Sequence, residues 1–276
     1  METSIVPKRR VPFLAALATF GAPGLGQFYN GQPRKGVLFY ILSLCCYPIL
    51  SITSIGHSFN GLLLLLLTAF GLGIAILVDA WTIARKRTDY ELLRWNRWYI
   101  YLAIILVNGF VIAPTIDGDL FPRPIKAYKV VSGAMLPTLE IGDHLVADLN
   151  AYHSVTPQRG DLALFAYPVD PTKDFIMRVI GLPGEKIEIR GKLVYINGEK
   201  LNDTWGVFDE QGSDSEGRKG FGPETISPNE YFVMGDNRYK SYDSRFWGTV
   251  PFSSFRSKAL YIYWASEKSR IGLRVQ

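Results

Sequence analysis

Residues 186–198 read KIEIRGKLVYING, a short stretch in which apolar and polar side chains alternate. Similar runs recur through the second half of the chain, namely HLVADL at 144–149, DLALFAY at 161–167, YFVMGD at 231–236 and ALYIYW at 259–264. They are rich in Val, Ile, Tyr and Phe and are bounded by Gly, Pro, Asn and Asp, a pattern typical of short β-strands. We therefore predict an all-β domain over 126–276.

One stretch interrupts these runs. Residues 198–230 contain DEQGSDSEGRKGFG, which is polar and rich in glycine. Such composition is typical of loops rather than of buried strands. We expect a polar insertion or a small mobile subdomain here.

The first part of the chain has a different composition. Up to residue 120 there are 10 Lys and Arg against 6 Asp and Glu, whereas the remainder has 20 against 19. The whole chain is 48% hydrophobic with a mean hydropathy of +0.09, which excludes a disordered chain, a collagen-like repeat and a small disulfide scaffold. We expect no nucleic-acid partner, because the basic residues flank apolar segments. The adjacent Cys45 and Cys46 have no metal-ligand spacing, so we expect no metal and no other cofactor.

Three charge-free segments are long enough to cross a bilayer, which needs about 20 apolar residues. We predict spans at about 36–55, 58–78 and 98–116, which together form a membrane region over 36–118. Residues 1–35 are predicted to form a basic amino terminus with a short apolar segment at 11–27. That segment resembles the start of a signal peptide, but basic flanks on both sides favour a re-entrant or interfacial segment.

The basic residues also predict the orientation of the spans. They cluster before the first span and between the second and the third, whereas the loop around His57 has no Lys or Arg. Because cytoplasmic loops carry the excess of Lys and Arg, both clusters are expected in the cytoplasm. Three crossings then leave the domain after residue 117 on the outer side of the membrane. The predicted fold class is thus a mainly β outer domain preceded by an α-helical, multi-span membrane region.

Six ordered sequence boxes of the outer domain carry a family resemblance. They read SGAMLPTL at 132–139 (the first box), GDHLVADLNAY at 142–152, RGDLALFAYP at 159–168, KDFIMRVIGLPGE at 173–185, GDNRYKSYDSRFWGTVP at 235–251 (the last box) and KALYIYW at 258–264. Together they resemble bacterial signal peptidase I, a membrane-bound serine-lysine endopeptidase that removes signal peptides from secreted preproteins. The resemblance implies a β-rich catalytic domain on the outer, periplasmic side of the bacterial cytoplasmic membrane. Separately, PGLGQFYNGQPRKG at 23–36 resembles the signature of a small bacterial two-span membrane domain.

Both members of the dyad that this resemblance implies are replaced. The family's nucleophilic serine corresponds to Ala134, and its general-base lysine corresponds to Met177. Neither side chain can attack a carbonyl or accept a proton. We therefore predict negligible peptidase activity for this chain, since loss of a nucleophile or base costs on the order of 10⁶ in kcat in subtilisin.

The resemblance implies that the rest of the site is retained. Ser132 would form an oxyanion hole with the backbone N–H of residue 134, and Ser241 would orient the missing lysine. The supporting residues are Arg178, Asp243 and Arg245, and the substrate-facing ones are Met135, Pro137, Phe175 and Ile176. Gly235, Asp236, Asn237 and Arg238 also match, but Tyr239 and Lys240 stand where Asp-Asn is common.

Other residues are poor substitutes for the missing dyad. Lys173 lies four strand positions before Met177, about 13 Å away at 3.3 Å per residue. Ser132 lies two positions before Ala134, and we do not expect it to be the nucleophile. His144 and His153 are isolated, with no Ser-His-Asp spacing around them.

Three functions remain open from the sequence. The first is a non-catalytic homologue that binds signal peptides or other extended peptide segments, or that assists an active paralogue at the lipid bilayer. The second is an active signal peptidase that uses an unrecognised group, or an active parent whose dyad was substituted by design. The third is a structural membrane protein that acts through its helical spans. The altered Tyr239-Lys240 pair favours natural divergence over engineering.

Overall fold

The computed structural model describes residues 10–46, 49, 53–87, 97–112, 124–208 and 220–275. The chain divides into two compact units, residues 1–123 and 124–276. The first unit is helical and the second is β-rich, as the composition predicts.

The first unit contains five described α-helices. They are α1 Pro12–Gly21, α2 Leu25–Tyr29, α3 Pro33–Leu44, α4 Phe59–Lys86 and α5 Trp98–Val107, the last continued by a π-helical turn Asn108–Ile112. The helix α4 begins after Ser58, whose hydroxyl accepts a hydrogen bond from the Gly61 N–H at 3.1 Å. It ends with Arg85 and Lys86, cations that stabilise the carboxyl end of a helix.

The predicted spans differ from the described helices. Of the helices in the described residues, only α4 is long and apolar enough to cross a membrane. It extends eight residues beyond the charge-free span predicted to end at 78, and the Asp79 carboxylate in this extension accepts hydrogen bonds from Lys35 at 2.5 Å and Gln27 at 3.0 Å. The helix α3 has 12 residues, begins at Pro33, before the predicted span 36–55, and ends within that span at Leu44. Residues 47–48, 50–52 and 113–116 of the predicted spans lie outside the described residues.

The short apolar segment at 11–27 forms two short helices, α1 and the start of α2, with Gly24 between them at φ +86°. The PGLGQFYNGQ motif packs against α4. A Cβ on Gly26 would lie 2.8 Å from that of Ala80, and the Asn30 amide donates to the Ala80 carbonyl at 2.7 Å. The motif thus brings α2 into close contact with α4.

The second unit contains two antiparallel sheets. The larger has the order β1-β2-β11-β3-β4-β9-β10 and the smaller β7-β6-β5-β8. The strands are β1 Ile125–Lys129, β2 His144–Asp148, β3 Leu162–Tyr167, β4 Asp170–Gly181, β5 Lys186–Arg190, β6 Leu193–Ile196, β7 Glu199–Lys200, β8 Phe221–Thr225, β9 Glu230–Met234, β10 Val250–Pro251 and β11 Phe255–Trp264. Two one-turn helices, Ala151–Ser154 and Ser244–Trp247, complete the unit. The prediction of a mainly β domain in the second part of the chain is therefore confirmed.

Each sheet has its own apolar core. The core of the larger sheet includes Leu145, Phe165 and Val233, all with at most 1% of their surface exposed. That of the smaller sheet is built around Ile187 and Phe232. In β5 and β6 of the smaller sheet alternate residues are buried, as the alternating sequence predicts. By contrast, β2, β3 and β9 of the larger sheet are buried along most of their length.

The predicted insertion 198–230 is more ordered than its composition indicates. Its ends form β7 and β8, which flank the smaller sheet, while residues 209–219 lie outside the described part. Between them, the Val207 N–H donates to the Asp236 carbonyl at 2.7 Å. Main-chain pairing with the last box orders residues whose side chains carry no strand pattern.

Candidate functional site

The first box forms a tight turn after the edge of the larger sheet. Residues Gly133–Met135 make a single 3-10 turn, with Ser132 as its amino-terminal cap. The Ser132 hydroxyl accepts the Ala134 N–H at 3.3 Å, so the two groups expected to form an oxyanion hole bond to each other. Met135 is 1% exposed and anchors the turn in the core.

The last box holds this turn from the other side. The Asn237 N–H donates to the Ala134 carbonyl at 3.0 Å, and its side-chain amide donates to the Gly133 carbonyl at 3.2 Å. The Thr138 hydroxyl donates to the Asp236 carboxylate at 2.5 Å. The two boxes, about a hundred residues apart in the chain, therefore form one structure.

Ala134 and Met177 line the same cavity, which has a volume of about 310 Å³. The lining also includes residues of four groups: the end of β1 and the turn after it, one leucine each from β2 and β3, the central part of β4, and the last box. Apart from Ala134 and Met177, they are Tyr128, Lys129, Val130, Val131, Ser132, Met135, Leu145, Leu164, Asp174, Phe175, Ile176, Lys240 and Tyr242. The two positions that the resemblance assigns to the dyad thus lie in a single, mostly apolar cavity.

Three of the four expected substrate-facing residues line this cavity. Met135, Phe175 and Ile176 do so, and the Phe175 ring stacks on that of Tyr167 with centroids 4.4 Å apart. Pro137 is exposed and lies outside the lining. A substrate role for Pro137 stays a prediction from the resemblance.

Met177 lies in β4 opposite Ala163 of β3, with 3% of its surface exposed. A lysine here would have its ammonium group in apolar surroundings, which lowers the pKa of an amine. Methionine fills the same elongated space without a charge to desolvate. The apolar surroundings of residue 177 therefore favour an uncharged side chain in this protein.

The strand that carries Met177 has a free edge beside the cavity. On one side, β4 pairs with β3 from Asp170 to Arg178. On the other side its pairing with β9 begins only at Arg178. Among the described residues, no strand pairs with this second side of the backbone over 174–177, a geometry to which an extended peptide can add.

Ser241 is 4% exposed, and its hydroxyl has no hydrogen-bond partner among the described residues. Gly235 brings it close to the nucleophile position: a Cβ on Gly235 would lie 2.3 Å from the Ser241 Oγ and 2.4 Å from the Ala134 carbonyl oxygen. Buried hydroxyls are usually paired. The buried Ser241 hydroxyl is therefore an exception among the described residues, and its role in orienting a side chain at position 177 stays a prediction from the resemblance.

Asp243 and Arg245 form the ion pair that the resemblance implies. The Arg245 Nε donates to the Asp243 carboxylate at 2.8 Å, and both side chains are buried. The same carboxylate accepts the Gly235 N–H at 3.1 Å. The pair therefore holds the backbone of the glycine on which Ser241 packs.

Arg178 and Asp236 make a second buried ion pair, which links β4 to the last box. The guanidinium donates twice to the carboxylate, at 2.8 and 2.7 Å, and Trp205 lies 4.8 Å from it as a cation–π partner. Arg238 in turn pairs with Asp203. Sequence analysis missed Asp203 and Trp205, because both lie in the stretch interpreted as a polar insertion.

The residues considered as substitutes for the dyad are engaged elsewhere. The exposed Lys173 Nζ lies 2.8 Å from the Asp170 carboxylate, and this hydrogen bond raises the pKa of Lys173, the opposite of what a general base needs. The His144 ring packs edge-on against Tyr263. His153 is exposed at the end of a one-turn helix.

The two residues that depart from the family pattern lie on opposite sides of the loop backbone. Tyr239 is 8% exposed and its ring packs against that of Phe208 at a centroid distance of 5.3 Å. Lys240 is exposed and lines the cavity. The departure thus adds a cation to the site.

Comparison with known proteins identifies the relatives of this chain. The family profile described as "Signal peptidase, peptidase S26" matches residues 98–264, more than half of the chain. Signal peptidase I of Leptolyngbya laminosa is 37% identical over 147 residues, which cover 50% of this chain and 68% of that protein. Signal peptidase I of Pseudomonas aeruginosa is 31% identical over 202 residues, covering 54% and 71%. A crystal structure of a signal peptidase I from Enterococcus faecalis V583 aligns at 30% identity over 38% of this chain and 97% of its own, with a TM-score of 0.32.

Proposed function

Since the chain belongs to the signal peptidase family, peptidase S26, we propose that it is a non-catalytic member that binds signal peptides without cleaving them. Family membership supports signal peptides of secreted preproteins as the ligand class. The loss of catalysis is specific to this chain and rests on the residues of its own site.

One observation carries the proposal: Ala134 and Met177 line one cavity while the residues around them remain tied together. Asn237 holds the turn of Ala134, and the Asp243–Arg245 pair holds Gly235. A site without a binding role would not be expected to retain these contacts after loss of the dyad. Retention of the cavity therefore favours binding over a purely structural role.

The binding mode follows from the free edges beside the cavity. Residues 174–177 of β4 have one unpaired side, and β1 is an edge strand of the larger sheet. An extended peptide can add to such an edge by main-chain hydrogen bonds, with alternate side chains entering pockets. The small Ala134 leaves room for a small side chain at that point.

The membrane placement is part of the same proposal. We propose three crossings at about 36–55, 58–78 and 98–116, a re-entrant or interfacial segment at 11–27, and an outer, periplasmic β-rich domain in the bacterial cytoplasmic membrane. The helix α4, which is long and apolar enough to cross a membrane, supports the central crossing. A signal peptide emerging from the membrane would then meet the cavity on the outer side.

A cleavage assay in detergent with a preprotein tests the catalytic part. Four forms are compared: the chain as it stands, Ala134→Ser, Met177→Lys and the double variant. We expect cleavage only by the double variant, because the serine needs the lysine as its base. Binding of a signal peptide to the non-cleaving chain is measured in parallel.

The outcomes separate the three functions. Cleavage by the unaltered chain would establish an active peptidase with another nucleophile, contrary to the proposal. Peptide binding without cleavage supports it. If neither the chain nor the double variant binds or cleaves the peptide, a structural role of the helical spans is the remaining function.

A further inference from the structure

Basic side chains of the helical unit lie at helix ends and lack acidic partners. Arg34 is in the first turn of α3, Arg97 directly precedes α5, and residues 85–87, Arg-Lys-Arg, end α4. The only carboxylate in the described part of this unit, that of Asp79, is already paired with Lys35 at 2.5 Å. The other basic side chains named here have no ion-pair partner among the described residues. The unit therefore has an excess of positive charge, which attracts anionic ligands.

A groove of about 440 Å³ lies between α3 and α5. Val37 of α3 lines it together with Ala103, Ile104 and Val107 of α5, and α2 contributes Phe28. As far as the structure describes the chain, no charged side chain is part of the lining. A groove of this composition suits a long apolar chain rather than a polar solute.

Two of the basic side chains are neighbours of residues that line this groove. The Arg97 guanidinium donates to the Tyr99 hydroxyl at 2.9 Å, and Tyr99 is part of the lining. Arg34 lies three residues before Val37 on α3, a spacing at which two side chains are neighbours on a helix surface. Both arginines are exposed. A ligand in the groove can therefore reach their N–H donors.

A hydrogen bond marks the opposite end of the groove. The Tyr40 hydroxyl donates to the side-chain carbonyl of Asn108 at 2.6 Å. Since α3 runs from Arg34 to Tyr40 and the chain from Arg97 to Asn108 forms α5, both arginines lie at the end away from this bond. Trp98, beside Arg97, is 75% exposed, and such aromatic residues are typical of the membrane–water interface. The cations are thus at the level expected for lipid headgroups.

We propose that the groove between α3 and α5 binds one phospholipid with an anionic headgroup. An acyl chain occupies the apolar groove, and the phosphate is bound by Arg34 and Arg97. Guanidinium groups suit this role because their fixed N–H donors match the oxygen atoms of a phosphate. Basic pockets between membrane helices bind anionic headgroups in the same way. The inference rests on the proposed membrane placement of these helices, but not on peptide binding by the β-rich unit.

Native mass spectrometry of the full chain in a neutral detergent tests this proposal, because it counts the lipid molecules bound. Two lipids with identical acyl chains are compared, the anionic phosphatidylglycerol and the zwitterionic phosphatidylcholine. A third sample contains glycerol 3-phosphate, which has the phosphate without acyl chains. We expect phosphatidylglycerol to bind about 25-fold more tightly than phosphatidylcholine, about fivefold for each of the two arginines. High salt should reduce this preference, since it screens the charges.

Variants locate the site. Arg34→Gln and Arg97→Gln should each lower the preference for phosphatidylglycerol about fivefold. The matched control is Arg85→Gln, which should keep the preference, because it removes an exposed arginine of α4, a helix that contributes no described residue to the groove. Ala103→Trp fills the groove and should weaken the binding of both lipids. Leu102→Trp should not, because Leu102 is exposed beside Ala103 but lies outside the lining.

The possible failures are distinguishable. Equal binding of the two lipids overturns the headgroup site, and tight binding of glycerol 3-phosphate overturns a lipid as the occupant. An equal loss of preference in Arg85→Gln and Arg97→Gln would indicate diffuse attraction to a basic surface and would also overturn the site. Arg97→Lys keeps the charge and should retain most of the preference, which separates a loss of charge from a loss of folding.

The membrane placement is judged by a separate measurement. A chain that stays in membranes washed with alkaline carbonate, yet binds neither lipid, would overturn the lipid site alone. Release of the chain by the wash would overturn the membrane placement and, with it, the lipid site. Peptide binding by the β-rich unit is unaffected by either result.

Discussion

The Arg178 guanidinium and the Asp236 carboxylate form two parallel hydrogen bonds, and neither side chain has any exposed surface. Arg178 follows Met177 in β4, and Asp236 follows Gly235 in the last box. This ion pair therefore joins the strand of the general-base position to the loop that packs on the nucleophile position.

Replacing Asp236 with Asn is expected to lower the free energy of unfolding by about 3–5 kcal/mol, since it leaves the Arg178 charge buried and uncompensated. Chemical denaturation followed by tryptophan fluorescence measures the change. Glu188→Gln is the control, because its partner Arg190 is 62% exposed and such pairs contribute little. Equal losses of unfolding free energy in the two variants would contradict the expectation that the buried ion pair contributes more to stability than the exposed one.

Two buried serines should respond differently to replacement by alanine. Ser241→Ala removes a hydroxyl that has no partner among the described residues, so we expect little loss of stability or a small gain. Ser244→Ala should cost about 1–3 kcal/mol, because the Ser244 hydroxyl accepts the buried Val233 N–H at 3.0 Å. Thermal unfolding of both variants measures the difference.

The same serine gains a role if the dyad is rebuilt. In an Ala134→Ser, Met177→Lys background, Ser241→Ala should reduce the rate of preprotein cleavage without reducing peptide affinity, because the hydroxyl would then orient the lysine. An unchanged cleavage rate would count against Ser241 as a positioning residue.

Gly235→Ala is expected to disrupt the site. The new Cβ would lie 2.4 Å from the Ala134 carbonyl oxygen, a backbone atom that Asn237 holds in place. Weaker peptide binding and a lower unfolding temperature should follow. Gly133→Ala is the control for the same turn, because its Cβ would meet only the flexible end of Leu136, at 3.2 Å. Wild-type binding by Gly235→Ala would contradict the close packing at this point.

The proposed orientation can be tested by cysteine labelling. The starting variant replaces Cys45 and Cys46, the only two cysteines, with alanine. Single cysteines at His57 and His153 should react with a membrane-impermeant maleimide in spheroplasts, whereas one at Arg87 should react only after lysis. Labelling at Arg87 in intact spheroplasts would contradict three crossings with an outer β-rich domain.

Local patterns in the sequence predicted the strands well. The runs at 144–149 and 161–167 nearly coincide with β2 and β3, although these strands are buried along most of their length rather than on alternate residues. The resemblance to signal peptidase I is confirmed by the family match. Both predictions depend on residues that are near one another in the chain. The spacing of such residues within a strand or a sequence box is sufficient to indicate the structure or the family.

Features that depend on distant contacts were not predictable in this way. Asp79 looks like the end of a span, but its pairing with Lys35 keeps it within α4. Trp205 lies in a stretch with loop composition, yet Arg178 packs against its ring. The bond between Ser132 and Ala134 depends on the backbone of one turn, which residue identity alone does not specify.

The hydrogen bond between Thr138 and Asp236 spans 98 residues of sequence. Contacts this distant in sequence slow folding, because a long loop must close before the contact is made. During synthesis, the first box therefore remains without its partner until the last box has been made. Formation of the turn around Ala134 is thereby tied to the completion of nearly the whole domain, and a truncated chain that ends before the last box would present an unfinished turn.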